Sequence, residues 1–167
     1  MTITTTTHLN FRGAAREALE FYQSVFGGQL IAATYADMGM PADVPGADRI
    51  VFGQLESADG FRVMAYDIPG EDAGAADAGT TSRANGMTLT DRTFFQSVRG
   101  QSLEEMTTIW ERLADGADII EPLAGSAWSP GFGMLTDRFG VTWVVGRAPR
   151  EATAAGGVPQ DGPMRPG

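Results

Sequence analysis

One order of signals occurs twice along this chain, and it limits the fold more than any other feature. A β-branched run from Thr4 to Phe11 stops at Arg12–Gly13 and is followed by Ala15, Ala18, Leu19, Tyr22, Val25 and Phe26. Those positions fall on one face of an amphipathic helix, which Gly27–Gly28 ends. A strand over Gln29–Tyr35, a Pro- and Gly-bearing loop over Ala36–Arg49 and a hairpin of Ile50–Glu56 and Phe61–Tyr66 complete the first copy. The second begins with a strand over Thr93–Val98 that ends at Arg99–Gly100. Ser102 and Glu105 then form a capping box for a helix presenting Leu103, Met106, Ile109, Trp110 and Leu113. Asp115–Gly116, a strand over Ala117–Leu123 and a hairpin from Phe132 to Trp143 close the pattern. The Arg–Gly pairs are 87 residues apart and the helix-ending glycines Gly28 and Gly116 are 88 apart. A near-constant offset predicts a duplicated βαβββ unit and an α+β fold.

Each unit has a single helix to cover one face of its sheet, so the other face needs its twin. Two such sheets predict one curved mixed sheet around a cavity, and a cavity is the default ligand site. The expected organisation is one domain over 1–147, with module one at 4–66, a linker at 67–91 and module two at 92–147. The linker stands out as rich in Gly, Ala, Asp, Thr and Ser and is expected to be partly mobile. From 148 to 167 apolar side chains are too few to pack, which predicts a disordered tail.

Missing residues exclude chemistry. The chain has no cysteine and therefore no thiolate nucleophile or disulfide, and all 12 basic residues are arginine, which removes Schiff-base catalysis. His8 is the one histidine. A net charge of −9 without a basic cluster argues against nucleic acid and anionic membrane surfaces. No apolar run approaches the roughly 20 residues that span a bilayer. The first residues carry neither a basic region nor an apolar core, so the expected location is cytoplasmic.

Two strings carry a family resemblance over about residues 7 to 147. Leu9-Asn10-Phe11-Arg12-Gly13 with Ala14–Tyr22 and Phe26-Gly27-Gly28 resembles the first module of PhnB-like proteins, of the glyoxalase/bleomycin-resistance/extradiol-dioxygenase (vicinal oxygen chelate) superfamily. Trp128, Gly131-Phe132-Gly133, Thr136-Asp137-Arg138-Phe139-Gly140-Val141 and Trp143 resemble that group's C-terminal signature. Some such relatives carry a demethylubiquinone methyltransferase name, but this sequence has no glycine-rich loop for a methyl donor.

The resemblance implies a glyoxalase-like fold and, for the superfamily's enzymes, a divalent metal held by residues of the first and fourth strands of both modules. Carried over, those positions fall at His8, at Tyr66 or Asp67, near Thr93 and near Val144. At most His8 and Asp67 could coordinate, and two ligands make a poor catalytic site. His8 has three readings: an ordinary strand histidine, a polar group of the pocket, or a metal ligand. Asp67 reads as a strand-end turn residue or a ligand, Gln96 as a pocket donor or an outward residue, and Trp143 as core or cavity wall. Asp137 and Arg138 read as a structural turn. The expected function is binding of a small organic ligand by a homodimer, in an aromatic-lined cavity and with no metal or other cofactor. The ligand-binding set is His8, Asn10, Tyr66, Gln96, Trp128 and Trp143. The alternative is a metal-dependent lyase, isomerase or dioxygenase using His8 and Asp67.

Overall fold

A computed structural model describes residues 3–70, 80–125 and 131–148. Trp128 and almost all of the expected tail, 149–167, lie outside the described residues. Module one consists of β1 (Thr7–Phe11), α1 (Ala15–Phe26), β2 (Gln29–Thr34), β3 (Ile50–Glu56) and β4 (Arg62–Asp67). Between the modules stands a hairpin of β5 (Thr81–Ala84) and β6 (Met87–Thr90). Module two consists of β7 (Gln96–Gly100), α2 (Leu103–Leu113), β8 (Asp118–Ala124), β9 (Phe132–Thr136) and β10 (Thr142–Arg147). Among the described residues, no helix is long and apolar enough to cross a membrane.

The duplication is explicit in the strand order. Sheet one runs β1-β4-β3-β2 and sheet two runs β7-β10-β9-β8. The first strand of each module pairs parallel with its fourth, and the other pairs are antiparallel. Phe11 stands opposite Asp67 at the end of β4, and Gly100 stands opposite Arg147 at the end of β10. The equivalent pair is therefore Phe11 and Gly100. The Arg–Gly landmarks of the sequence sit two residues out of step. The second module's first strand begins at Gln96, not Thr93, because its register is set by Trp143 opposite Gln96.

Each helix covers one face of its own sheet. Gly53 in β3 and Gly133 in β9 let the helices approach: a Cβ on Gly53 would lie 2.3 Å from Leu19 of α1, and one on Gly133 would lie 2.7 Å from Trp110 of α2. The core then runs between modules. Tyr22, Val25, Leu135 and Trp143 are fully or almost fully buried in one cluster. The Tyr22 and Trp143 rings meet edge to face at 5.4 Å, and Phe26 stacks on Phe61 at 3.8 Å. Thr7 Oγ1 of β1 donates to Gln96 Oε1 of β7 at 3.1 Å, bringing the first strands of the two modules within side-chain reach.

The connection between modules holds more structure than its composition predicts. Asn85, at φ 53°, and Gly86, at φ 76°, form the two-residue turn of the β5–β6 hairpin. Left-handed Asn–Gly is the strongest short hairpin signal. It was legible in the sequence, but the surrounding Gly- and Ala-rich stretch masks it.

Candidate functional site

Alternation along the strands sorts the expected residues. In sheet one, Leu9, Gly53, Leu55, Val63 and Ala65 face α1 and the core. His8, Asn10, Met64 and Tyr66 point to the opposite, outer face, since His8 pairs with Met64 and Asn10 with Tyr66. On that face His8 meets the Tyr66 ring edge to face, with centroids 5.3 Å apart, and His8 Nδ1 lies 3.3 Å from Asn10 Oδ1. Beside them stand Ile31 and Phe52 of β2 and β3, 55% and 38% exposed. Exposed apolar side chains grouped on one sheet face are the kind of patch that marks an interaction surface.

The open edge of β1 borders a cavity of about 530 Å³. His8, Asn10 and Phe11 form one wall, Phe94 stands at 55% exposure, and Arg138 and Phe139 come from the turn before β10. Its counterpart, of about 340 Å³, lies between the second module's first strand and the first module's hairpin. Gln96, Arg99, Phe61, Arg62 and Met106 line it, and Trp143 reaches its floor. The expected ligand residues thus divide between two cavities related by the duplication. His8 and Asn10 line the first, Gln96 and Trp143 line the second, and Tyr66 lies beside His8 on the outer face.

Two expected residues have their polar groups committed to the fold. Trp143 is fully buried, and its indole Nε1 donates to Asp137 Oδ2 at 2.8 Å. Asp67 is buried on the helix side of sheet one. Its Oδ1 accepts from the backbone N–H groups of Gly13 at 2.7 Å and Ala15 at 3.0 Å, and its Oδ2 from Ile50 at 3.0 Å. It caps α1, whose Ala14 offers no side-chain cap. The carboxylate thereby accepts three backbone N–H groups and is turned away from His8. Among the described residues, no three His, Cys, Asp or Glu side chains group closely enough to hold a metal ion. The position matching His8 in module two is Ser97, opposite Val144. A metal of the kind used by the superfamily's enzymes does not fit this donor set.

Comparison with known proteins identifies the family. The model of the family described as 3-demethylubiquinone-9 3-methyltransferase matches residues 3–146. The chain belongs to that family. It is a PhnB-like protein of the glyoxalase/bleomycin resistance/dioxygenase fold. Protein YjdN of Escherichia coli is 26% identical over 149 residues, which are 87% of this chain and 96% of YjdN. The crystal structure of PA1353 from Pseudomonas aeruginosa is 30% identical with a TM-score of 0.67, covering 87% of this chain and 98% of that one. A PhnB protein from Bacillus cereus is 23% identical with a TM-score of 0.61, covering 87% of this chain and all of that one. Glyoxylase/bleomycin resistance protein/dioxygenase domains share the fold at lower identity.

Sequence reasoning missed Phe94, Phe139, Ile31 and Phe52 as members of this PhnB-like site region. Alternation along Gln29–Thr34 and Ile50–Glu56 assigns Ile31 and Phe52 to one face and Leu30 and Leu55 to the other. What was lacking was which face the helix covers. Phe94 was assigned to a strand that in fact begins two residues later.

Proposed function

We propose that this PhnB-like chain is a cytoplasmic, homodimeric binding protein for a small organic ligand, held at the open edge of β1 without a protein-bound catalytic metal. The observation that carries this reading is the aromatic lining of the β1 cavity by Phe11, Phe94 and Phe139, among polar and charged groups that include His8, Asn10, Glu17 and Arg138. A flat ligand laid against such rings gains about 0.5–1.5 kcal/mol beyond area burial. The donor set supports the absence of catalytic metal, since Asp67 is spent on backbone N–H groups and leaves His8 without a carboxylate partner.

Calorimetric titration of a ligand found by screening tests this. Phe94→Ala is expected to weaken binding by about 5-fold or more, while His8→Ala stays within a few-fold. Loss of binding in His8→Ala with Phe94→Ala unaffected would overturn the assignment of the site.

A further inference from the structure

The two modules end alike. Ile68, just past β4, donates its N–H to the Phe11 carbonyl at 2.8 Å, and Ala148, just past β10, donates its N–H to the Gly100 carbonyl at 2.7 Å. The chain therefore leaves each module at the C-terminal end of that module's first strand, beside its cavity. After module one it returns to the first cavity, whose wall includes Arg92 and Phe94. After module two, residues 149–167 set out from the equivalent point, next to the second cavity, which Gly100 itself lines. At about 3.3 Å per residue that segment can reach roughly 60 Å. A cavity of about 340 Å³ is far narrower than that.

The rim beside that exit offers charge and hydrogen bonds to a passing chain. A Cβ on Gly100 would lie 2.7 Å from Glu105 Oε2, so this carboxylate stands close to the carbonyl that holds Ala148. Its Oε2 accepts from the Gln101 N–H at 3.2 Å, which leaves Oε1 for a cation, and Arg150 follows two residues after Ala148. The arginines of the lining are turned to other partners: Arg62 pairs with Glu56, and Arg99 Nε donates to Ser97 Oγ at 3.4 Å. Two buried donors have no hydrogen bond among the described residues, Nε of Arg147, opposite Gly100, and Nε of Arg62, across the cavity. Buried donors are nearly always paired, and a segment running from one to the other brings backbone carbonyls to both. The floor is apolar, with Phe61, Met106 and Ile109. In the segment itself Ala152, Ala154, Ala155, Gly156 and Gly157 are small, and Val158 is the first large apolar side chain. Such a segment cannot build a core of its own but can borrow one. We infer that residues 149–159 lie across the second cavity, from Gly100 toward Asp59, with Arg150 paired to Glu105 and Val158 seated against Phe61 and Met106. The chain is its own ligand there, and the cavity at β1 is the one open to a small molecule.

A chain without cysteine makes the test direct. Val158→Cys is combined in the full chain either with Asp59→Cys, at the rim of the second cavity, or with Glu17→Cys, at the first. Both proteins are equilibrated in a glutathione redox buffer, alkylated and weighed intact, which counts disulfides within a chain. The expected result is an internal disulfide several-fold more abundant in the Asp59→Cys protein than in the Glu17→Cys protein. Adding Arg150→Glu to the former should lower that yield several-fold while the thermal midpoint stays unchanged. Equal yields in the two proteins, or a higher yield with Glu17→Cys, would overturn the docking. A yield indifferent to Arg150→Glu would overturn the Glu105 pairing. Disulfides found only between chains would overturn the assignment of the cavity to the chain's own segment.

Discussion

The Tyr22 hydroxyl donates to Asp137 Oδ2 at 2.7 Å, joining the helix of the first module to the last hairpin of the second. The same carboxylate accepts from Trp143 Nε1 at 2.8 Å, and its other oxygen accepts from the backbone N–H groups of Phe139 at 2.8 Å and Val141 at 3.0 Å. Four donors meet one buried acid. Asp137→Asn keeps the shape but turns an amide N–H₂ toward donors on one side or the other. It should lower stability by about 2–4 kcal/mol, since hydrogen bonds to charged groups are worth about 1.5–3 kcal/mol each. Urea titration should show a lower midpoint with an unchanged slope.

The same contact sets an alkaline limit. Burial, and then the adjacent Asp137 charge and hydrogen bond, raise the Tyr22 pKa well above its ordinary 10.0. A raised folded-state pKa means that between the unfolded and folded values the native state holds a proton that the unfolded chain has released. The stabilisation is complete below about pH 10 and is lost as pH climbs toward the folded value. Urea midpoints measured from pH 8 to 11 should fall on the alkaline side for wild type, and the fall should be shallower in Tyr22→Phe.

Asp67→Ala should cost about 2–4 kcal/mol, because three backbone N–H groups lose a charged acceptor and α1 loses its cap. Hydrogen exchange should show Gly13, Ala15 and Ile50 exchanging faster. A variant as stable as wild type would mean that the carboxylate is not structural.

Gly133→Ala places a Cβ 2.7 Å from both the Leu123 backbone and the Trp110 ring, neither of which can yield cheaply. The expected loss is about 1–3 kcal/mol. Thermal unfolding should show it, together with weaker near-ultraviolet signal from Trp110 as α2 is pushed off its sheet.

The fold was far more legible than the site. Helical spacing from Ala15 to Phe26, the capping box at Ser102 and Glu105, and the turn glycines act over a few residues, so the duplicated βαβββ pattern could be read along the chain. Ser102 Oγ does accept from the Glu105 N–H at 3.1 Å. Asp67 was beyond such reading because its partners are 17 to 54 residues distant. Trp143 was ambiguous for a related reason: alternation separates the two faces of a strand without saying which one a helix will cover. The Phe94 run has β propensity, but the ladder with β10 excludes it and leaves the ring exposed at the cavity.

Calorimetric titration of a screened aromatic ligand, run with and without EDTA on protein purified free of chelator and affinity tag, tests the metal-free binding site most directly. The cavity at the edge of β1 predicts equal affinities under the two conditions, within a few-fold. Binding that EDTA abolishes and a stoichiometric divalent transition metal restores would contradict it.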